Sequence, residues 1–233
     1  MTAQIRRLDG YLKGKGPGTD KRDYNIRQLP LKLAKLPDTY LTVANPIILD
    51  QGSTMACVAF CSSGIKTDEE YREWQKVYKF DAPWLYSLIA QPEGGAYPRD
   101  ACDIMLKQGF KLSGCRQKPD LKWGIEGYYG ITTSNTDAEI QATLFQYGSI
   151  ILASNWYDNW MNSFLKFPAP GNINGGHCYR CVGWVQGFWV IANSWGKLLW
   201  GQYGGGGMAL MSTDILRSTV LPQGDCWKVV DKV

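Results

Sequence analysis

What most restricts this chain is its single histidine, His177, which sits in Gly175-Gly176-His177 sixteen residues before Asn193-Ser194-Trp195-Gly196. Far upstream lies Gln51-Gly52-Ser53-Thr54-Met55-Ala56-Cys57-Val58-Ala59-Phe60, with a glutamine six residues ahead of a cysteine. A thiol, an imidazole, an amide to orient the ring and a second amide to hold an oxyanion are the parts of a nucleophilic acyl-transfer site. For these parts to work together, the two ends of the chain must fold face to face. With no second histidine, acid–base chemistry near neutral pH falls to His177.

Each part also has a plainer reading. Cys57 follows a loop and opens a helical pattern in which Cys57, Phe60 and Cys61 share a face. A thiol at a helix N-terminus gains thiolate character from the dipole and the free N–H groups. On that ground Cys57 is expected to be the most reactive of the seven cysteines. Its plain reading is a small buried hydrophobe. Gln51 is placed to aim its amide at a developing oxyanion; otherwise it is an ordinary polar loop residue. Gly176 lets a substrate backbone pass close to the imidazole. The Asn193 carbonyl can accept the imidazole N–H and fix its tautomer, while Trp195 covers that bond or simply fills core.

Composition bounds the rest. With 45% apolar and 20% charged residues, ten Trp and thirteen Tyr, the 233-residue chain has ample material for an aromatic core. The net charge of +4 is uneven: residues 1–36 hold nine Lys or Arg against three Asp, leaving the remaining 197 residues at −2. This basic arm is expected to lie extended over the body, or to meet an acidic partner in an assembly. Nothing resembles a nucleic-acid-binding module. No signal peptide or membrane-spanning run is visible, so a cytoplasmic or virion-associated setting is expected, with the cysteines reduced. Cys178-Tyr179-Arg180-Cys181 has a zinc-knuckle gap but lacks a second pair, and on a strand the two thiols face opposite ways. No metal or cofactor is expected.

The spacing predicts helices from Cys57, over Pro83–Ala90, over Tyr97–Gln108, and from a capping box at Thr136-Asp137-Ala138-Glu139. Strands are predicted at Ser149–Ser154, Cys178–Val185, Phe188–Ala192 and Met208–Met211. The chain thus divides into an extended basic arm (1–40), a helical lobe carrying the thiol (41–128) and a strand-rich lobe carrying His177 and Asn193 (129–233).

Together the Gln51-to-Cys57 spacing, Ala59-Phe60, Gly175-Gly176-His177, Asn193-Ser194-Trp195-Gly196 and the later Trp200-Gly201 resemble the papain-like cysteine peptidases. Gly10-Tyr11, Asp20-Lys21-Arg22-Asp23-Tyr24 and Leu36-Pro37 are similar to the opening of their bacterial and viral members. The resemblance implies an α+β fold of two lobes, helical and β-barrel-like, with the active-site cleft between them. It implies a catalytic set of Cys57, His177, Asn193 and Gln51. It also implies substrate contacts at Gly95 (backbone pairing, from Glu93-Gly94-Gly95-Ala96-Tyr97-Pro98), Met55, Gly176 and Trp195. Three departures stand out: Thr54 where a disulfide cysteine is usual, Met55 for a glycine beside the nucleophile, and Val58 for a tryptophan. Only about fifty residues precede Gln51, fewer than the inhibitory propeptide of secreted members would need, so restraint is expected from the arm, from Met55 or from assembly.

The reading is therefore a thiol peptidase acting on a peptide or protein substrate. Two alternatives stay open: a papain-fold structural or binding module of a viral particle or other assembly, and acyl transfer at a cell-wall or isopeptide link.

Overall fold

A computed structural model describes residues 10–21, 23–33, 35–162 and 164–232. In chain order it contains β1 (Thr39–Leu41), α1 (Cys57–Trp74), α2 (Ala82–Ile89), α3 (Pro98–Gln108), β2 (Ile125–Gly130), α4 (Asp137–Tyr147), β3 (Ile150–Tyr157), β4 (Ile173–Val185), β5 (Phe188–Ala192), β6 (Met208–Ser212) and β7 (Asp225–Asp231). The strands form one antiparallel sheet in the order β2-β7-β3-β4-β5-β6, with β1 added along β4. The sheet therefore draws on residues from either side of position 128.

Local chemistry sets the helix ends. Asp81 caps α2 through the Trp84 N–H, and Thr136 and Glu139 close a reciprocal capping box on α4. By contrast, Ala56 at the start of α1 offers no side-chain cap, so the first-turn N–H groups stay open toward the site.

Period-two alternation along β3 separates two cores. Ile150, Leu152 and Trp156 join the cluster beneath α4 and the C-terminal turns, whereas Ile151 and Ala153 join the cluster beneath α1, α2 and α3. The adjacent strand does the same: Cys181 lies in the first cluster and Cys178 in the second, as a strand requires of residues three apart. Burying about 25 cal/mol per Å2 of apolar surface on both faces is what holds the helices to the sheet.

The charged half of α1 is buried too. Lys66 pairs with Glu70 at 2.6 Å and with Asp231, Arg180 pairs with Asp68 at 2.6 Å, and Lys228 pairs with Glu69. Apart from Lys66–Glu70, which lies within α1, these pairs cross from α1 to β4 and β7, so α1 is tied to the sheet by ions as well as by apolar contact.

The basic arm lies along the body. Arg99 on α3 holds it by donating to both carboxylate oxygens of Asp23 (2.5 and 2.6 Å) and to the carbonyls of Lys15 and Gly16. Lys15 returns a salt bridge to Asp100 at 2.8 Å, and Arg27 reaches Glu139 at 2.7 Å. Two of its cations, Lys15 and Arg27, are thus neutralised by the chain's own acids. The arm's first nine residues, with Arg6 and Arg7, lie outside the described residues, as does Arg22.

Candidate active site

Cys57 is the first residue of α1 and is fully buried. Its sulfur receives backbone N–H groups from Cys178, Val58 and Cys57 itself. Cys178 directly follows His177 on β4, so the end of α1 abuts the strand that carries the imidazole.

Asn193 Oδ1 lies 2.7 Å from His177 Nε2 and also accepts the Ser194 backbone N–H at 2.7 Å. A backbone N–H can only donate, so the atom it meets must be the amide oxygen, and His177 Nε2 must carry a proton. Nδ1 is left as the base position of the neutral ring. The ring lies between Trp195, whose centroid is 4.6 Å away, and Trp156, at 4.8 Å in an edge-on arrangement. Both tryptophans are buried in the aromatic cluster with Trp160 and Trp200, which keeps water from the imidazole–amide bond. Trp195 therefore does what both sequence readings allowed: it packs the core and it covers His177.

Gln51 is buried beside the same loop. Its Nε2 donates to the Thr54 carbonyl at 2.8 Å and its Oε1 accepts from Ser194 Oγ at 2.7 Å, which fixes which end of the amide is nitrogen. An amide nitrogen has two hydrogens, so one remains beyond the bond to Thr54. Backbone contacts from Gln51 N–H to Ser194 and from Gly196 N–H to Leu49 stitch this loop to Asn193-Ser194-Trp195-Gly196.

The cleft is occupied by the chain itself. Tyr11 pairs with Ala96 in a parallel bridge, the Ala96 N–H donating to Gly10 O and the Leu12 N–H to Ala96 O, both at 2.9 Å. A methyl on Gly10 would come within 2.7 Å of Cys57 Sγ, and one on Gly176 within 2.6 Å of Tyr11 O. Only glycines allow this segment to pass so close to both the sulfur and the strand of His177. Met55 lies against Gly94, with its side chain on the wall of the cleft. Gly95 is engaged within its own loop, its N–H on the Tyr86 hydroxyl and its carbonyl on the Gln91 N–H. The backbone that pairs with the chain's own extended segment is that of Ala96.

Burial under this segment pushes the Cys57 thiol up to about 12, which the surrounding N–H groups offset only in part. With the cleft filled, Cys57 is withdrawn from solvent. Cys115 is the exposed cysteine among the described residues, and the other six are buried.

Superposition decides the architecture: over the whole of both chains, at a TM-score of 0.76 and 19% identity, the fold matches xylellain, a cysteine protease from Xylella fastidiosa. The fold is papain-like. A procathepsin B from Trypanosoma congolense gives a TM-score of 0.71 at 16% identity, covering 97% of this chain and 87% of that one. In sequence, a cathepsin B-like cysteine proteinase of Schistosoma japonicum is 30% identical over 114 residues, or 46% of this chain. The chain spans less than a third of the length of the curated relatives it matches, 31% and 27%. No family model matches it. Within this papain-like frame Cys57 heads α1, His177 lies within β4, and Asn193 directly follows the neighbouring strand β5. Among the described residues no helix is long and apolar enough to cross a membrane.

The sequence did not single out Trp156 or Ala96. Trp156 lies on β3 and reaches His177 only through strand pairing, which places it opposite Gly175. Ala96 carries no functional group, and its role is purely one of backbone.

Proposed function

We propose that the chain is a cysteine-dependent peptidase whose cleft is closed at rest by its own N-terminal segment. The observation that carries this is the seat of Gly10-Tyr11-Leu12: an extended peptide backbone runs between Ala96 and Gly176 and against Cys57 Sγ. A groove that holds one extended strand over a thiol is built for peptides.

With the segment withdrawn, the thiol regains water and its pKa falls toward the ordinary range. His177 Nδ1 takes the Cys57 proton, and the sulfur attacks the carbonyl carbon of the scissile peptide bond. The oxyanion is received by the Cys57 N–H and the second hydrogen of Gln51 Nε2. Collapse of the tetrahedral species breaks the C–N bond; His177 gives its proton to the departing amine and leaves an acyl thioester. Water, deprotonated by His177, then releases the acid and restores the thiol. Asn193 keeps the ring turned through both transfers. In this proposal residues 41–128 supply the nucleophile and 129–233 the base. Met55 stands at the wall of the substrate groove.

A second reading keeps the fold and drops the chemistry: the segment never leaves and the chain serves as a structural or binding module of an assembly. The buried, neutral thiol of the closed form favours it. Peptide hydrolysis by a chain whose cleft is opened by substitution, compared with the same chain bearing Cys57→Ala, separates the two. Cleavage lost with Cys57 supports the peptidase, and no cleavage by either supports the module.

A further inference from the structure

Three thiols meet where α1 abuts β4, and peptide hydrolysis needs one of them. Cys57 and Cys61 lie one turn apart on α1, and Cys178 follows His177 on β4. All three sit in one core at 3% exposure or less. The Cys178 N–H meets Cys57 Sγ, and the Cys61 thiol donates to the Tyr179 carbonyl at 3.1 Å. The Cys61 and Cys178 side chains also hydrogen-bond to each other. A thiol has one hydrogen, so Cys61 gives its own to Tyr179 and receives that of Cys178. Cys178 thus stands between the other two, with its backbone on one sulfur and its thiol on the other. Direct pairing of Cys57 with Cys61 is unfavourable: Cβ atoms one helical turn apart are about 5–6 Å from each other, whereas a disulfide needs about 3.5–4.5 Å.

We infer that Cys178 and Cys61 form a relay that rescues Cys57 from oxidation by a hydroperoxide and stores the damage as a Cys61–Cys178 disulfide. With the arm withdrawn, Cys57 is the thiol that peroxide reaches. Its thiolate takes one oxygen, the O–O bond breaks, and the departing hydroxide takes the His177 proton. Cys57 is oxidised to a sulfenic acid and the peroxide is reduced. The Cys178 sulfur then attacks the Cys57 sulfur; an S–S bond forms, the S–O bond breaks, and the oxygen leaves as water with the Cys178 proton. Burial leaves Cys178 little thiolate, but contact supplies effective molarities of about 10⁵ M or more. Cys61 next attacks the Cys178 sulfur, and Cys57 leaves as a thiolate while His177 receives the Cys61 proton. The exchange runs this way because the helix N-terminus and the imidazolium make Cys57 the best leaving group of the three. From the peptidase reading the inference takes an openable cleft and a reactive Cys57.

The test reads sulfur chemistry. The Gly10→Val chain, with Cys115→Ser to remove the exposed thiol, is treated with equimolar hydrogen peroxide at neutral pH, alkylated with iodoacetamide and mapped by mass spectrometry without reduction. A Cys61–Cys178 cross-link with Cys57 alkylated is expected, and this map needs no buried substitution. Adding Cys61→Ala should stop the relay at a Cys57–Cys178 cross-link. Adding Cys178→Ala should leave a Cys57 sulfenic acid that dimedone traps, with Cys57 alkylation after peroxide at least about tenfold lower than in the chain that keeps Cys178. Cys57→Ala should abolish the cross-link. A Cys61–Cys178 cross-link that forms as fast without Cys57, a cross-link of Cys61 to Cys102 instead, or a Cys57 sulfenic acid trapped equally with and without Cys178 overturns the relay. Peptide cleavage by a chain that never forms the Cys61–Cys178 cross-link overturns the relay and leaves the peptidase standing. The cross-link in a chain that cuts no peptide overturns the peptidase alone.

Discussion

Gly10 stands so close to Cys57 that a single added carbon would come within 2.7 Å of the sulfur. Gly10→Val cannot be seated without moving the segment or the helix, at an overpacking cost of about 1–3 kcal/mol. The population with an open cleft should rise by roughly fivefold to over a hundredfold. Timed alkylation read by mass spectrometry, with exposed Cys115 as the internal reference, should show Cys57 labelling accelerated by that factor and Cys115 unchanged. An unchanged Cys57 rate would mean that the segment does not guard the thiol.

Asn193 Oδ1 fixes the proton on His177 Nε2. Asn193→Ala in the opened chain removes a hydrogen bond that strengthens when the imidazole is charged, a loss of about 1.5–3 kcal/mol. Peptide kcat/KM should fall roughly tenfold to a hundredfold, with KM nearly constant. A drop confined to KM would place Asn193 in substrate binding instead.

Burial drives the Cys57 thiol to about 12 while the arm is docked. A thiol whose pKa is raised in the closed form stays neutral below that value, so its alkylation rate should climb about tenfold per pH unit from pH 7 to 10 without a plateau. The sign for docking follows from the same shift. Stability from the neutral, buried thiol is fully present below the ordinary value near 8.5 and is lost as pH rises toward 12. The Gly10→Val chain should instead plateau at a lower pH. Identical profiles for the two chains would contradict burial by the arm as the cause.

Lys228 is buried against Glu69, whose carboxyl is itself pushed up to about 7 by burial, the lysine holding it back. Lys228→Ala leaves that carboxylate unpaired, a loss of about 3–5 kcal/mol. Calorimetry should show Tm falling by roughly 6–20 °C at pH 8. Because the Glu69 pKa is raised, the variant should recover part of the loss as pH falls below about 7 and the carboxyl takes up a proton. Adding Glu69→Gln should recover stability at pH 8 as well.

These elements differ in how far the sequence reveals them. The capping box at Thr136 and the apolar run of β5 are local signals, and both elements form where the residues predict. β7 hides because Asp225, Lys228 and Asp231 interrupt its apolar pattern; all three are buried, and two are neutralised by partners on α1 more than 150 positions away. At the site, Gln51, Cys57, His177 and Asn193 are legible because each brings its own chemistry. Ala96 and Trp156 are not, since one pairs through its backbone and the other reaches His177 only through strand register.

One covalent capture bears most directly on the chain's chemistry. The Gly10→Val chain is incubated at neutral pH with a peptide carrying a thiol-reactive vinyl sulfone and is then mapped by mass spectrometry. One adduct, on Cys57, is expected, absent in the Gly10→Val chain that also carries Cys57→Ala and strongly slowed by His177→Ala. An adduct confined to exposed Cys115, or labelling of Cys57 that is indifferent to His177, would contradict an activated nucleophile in this cleft.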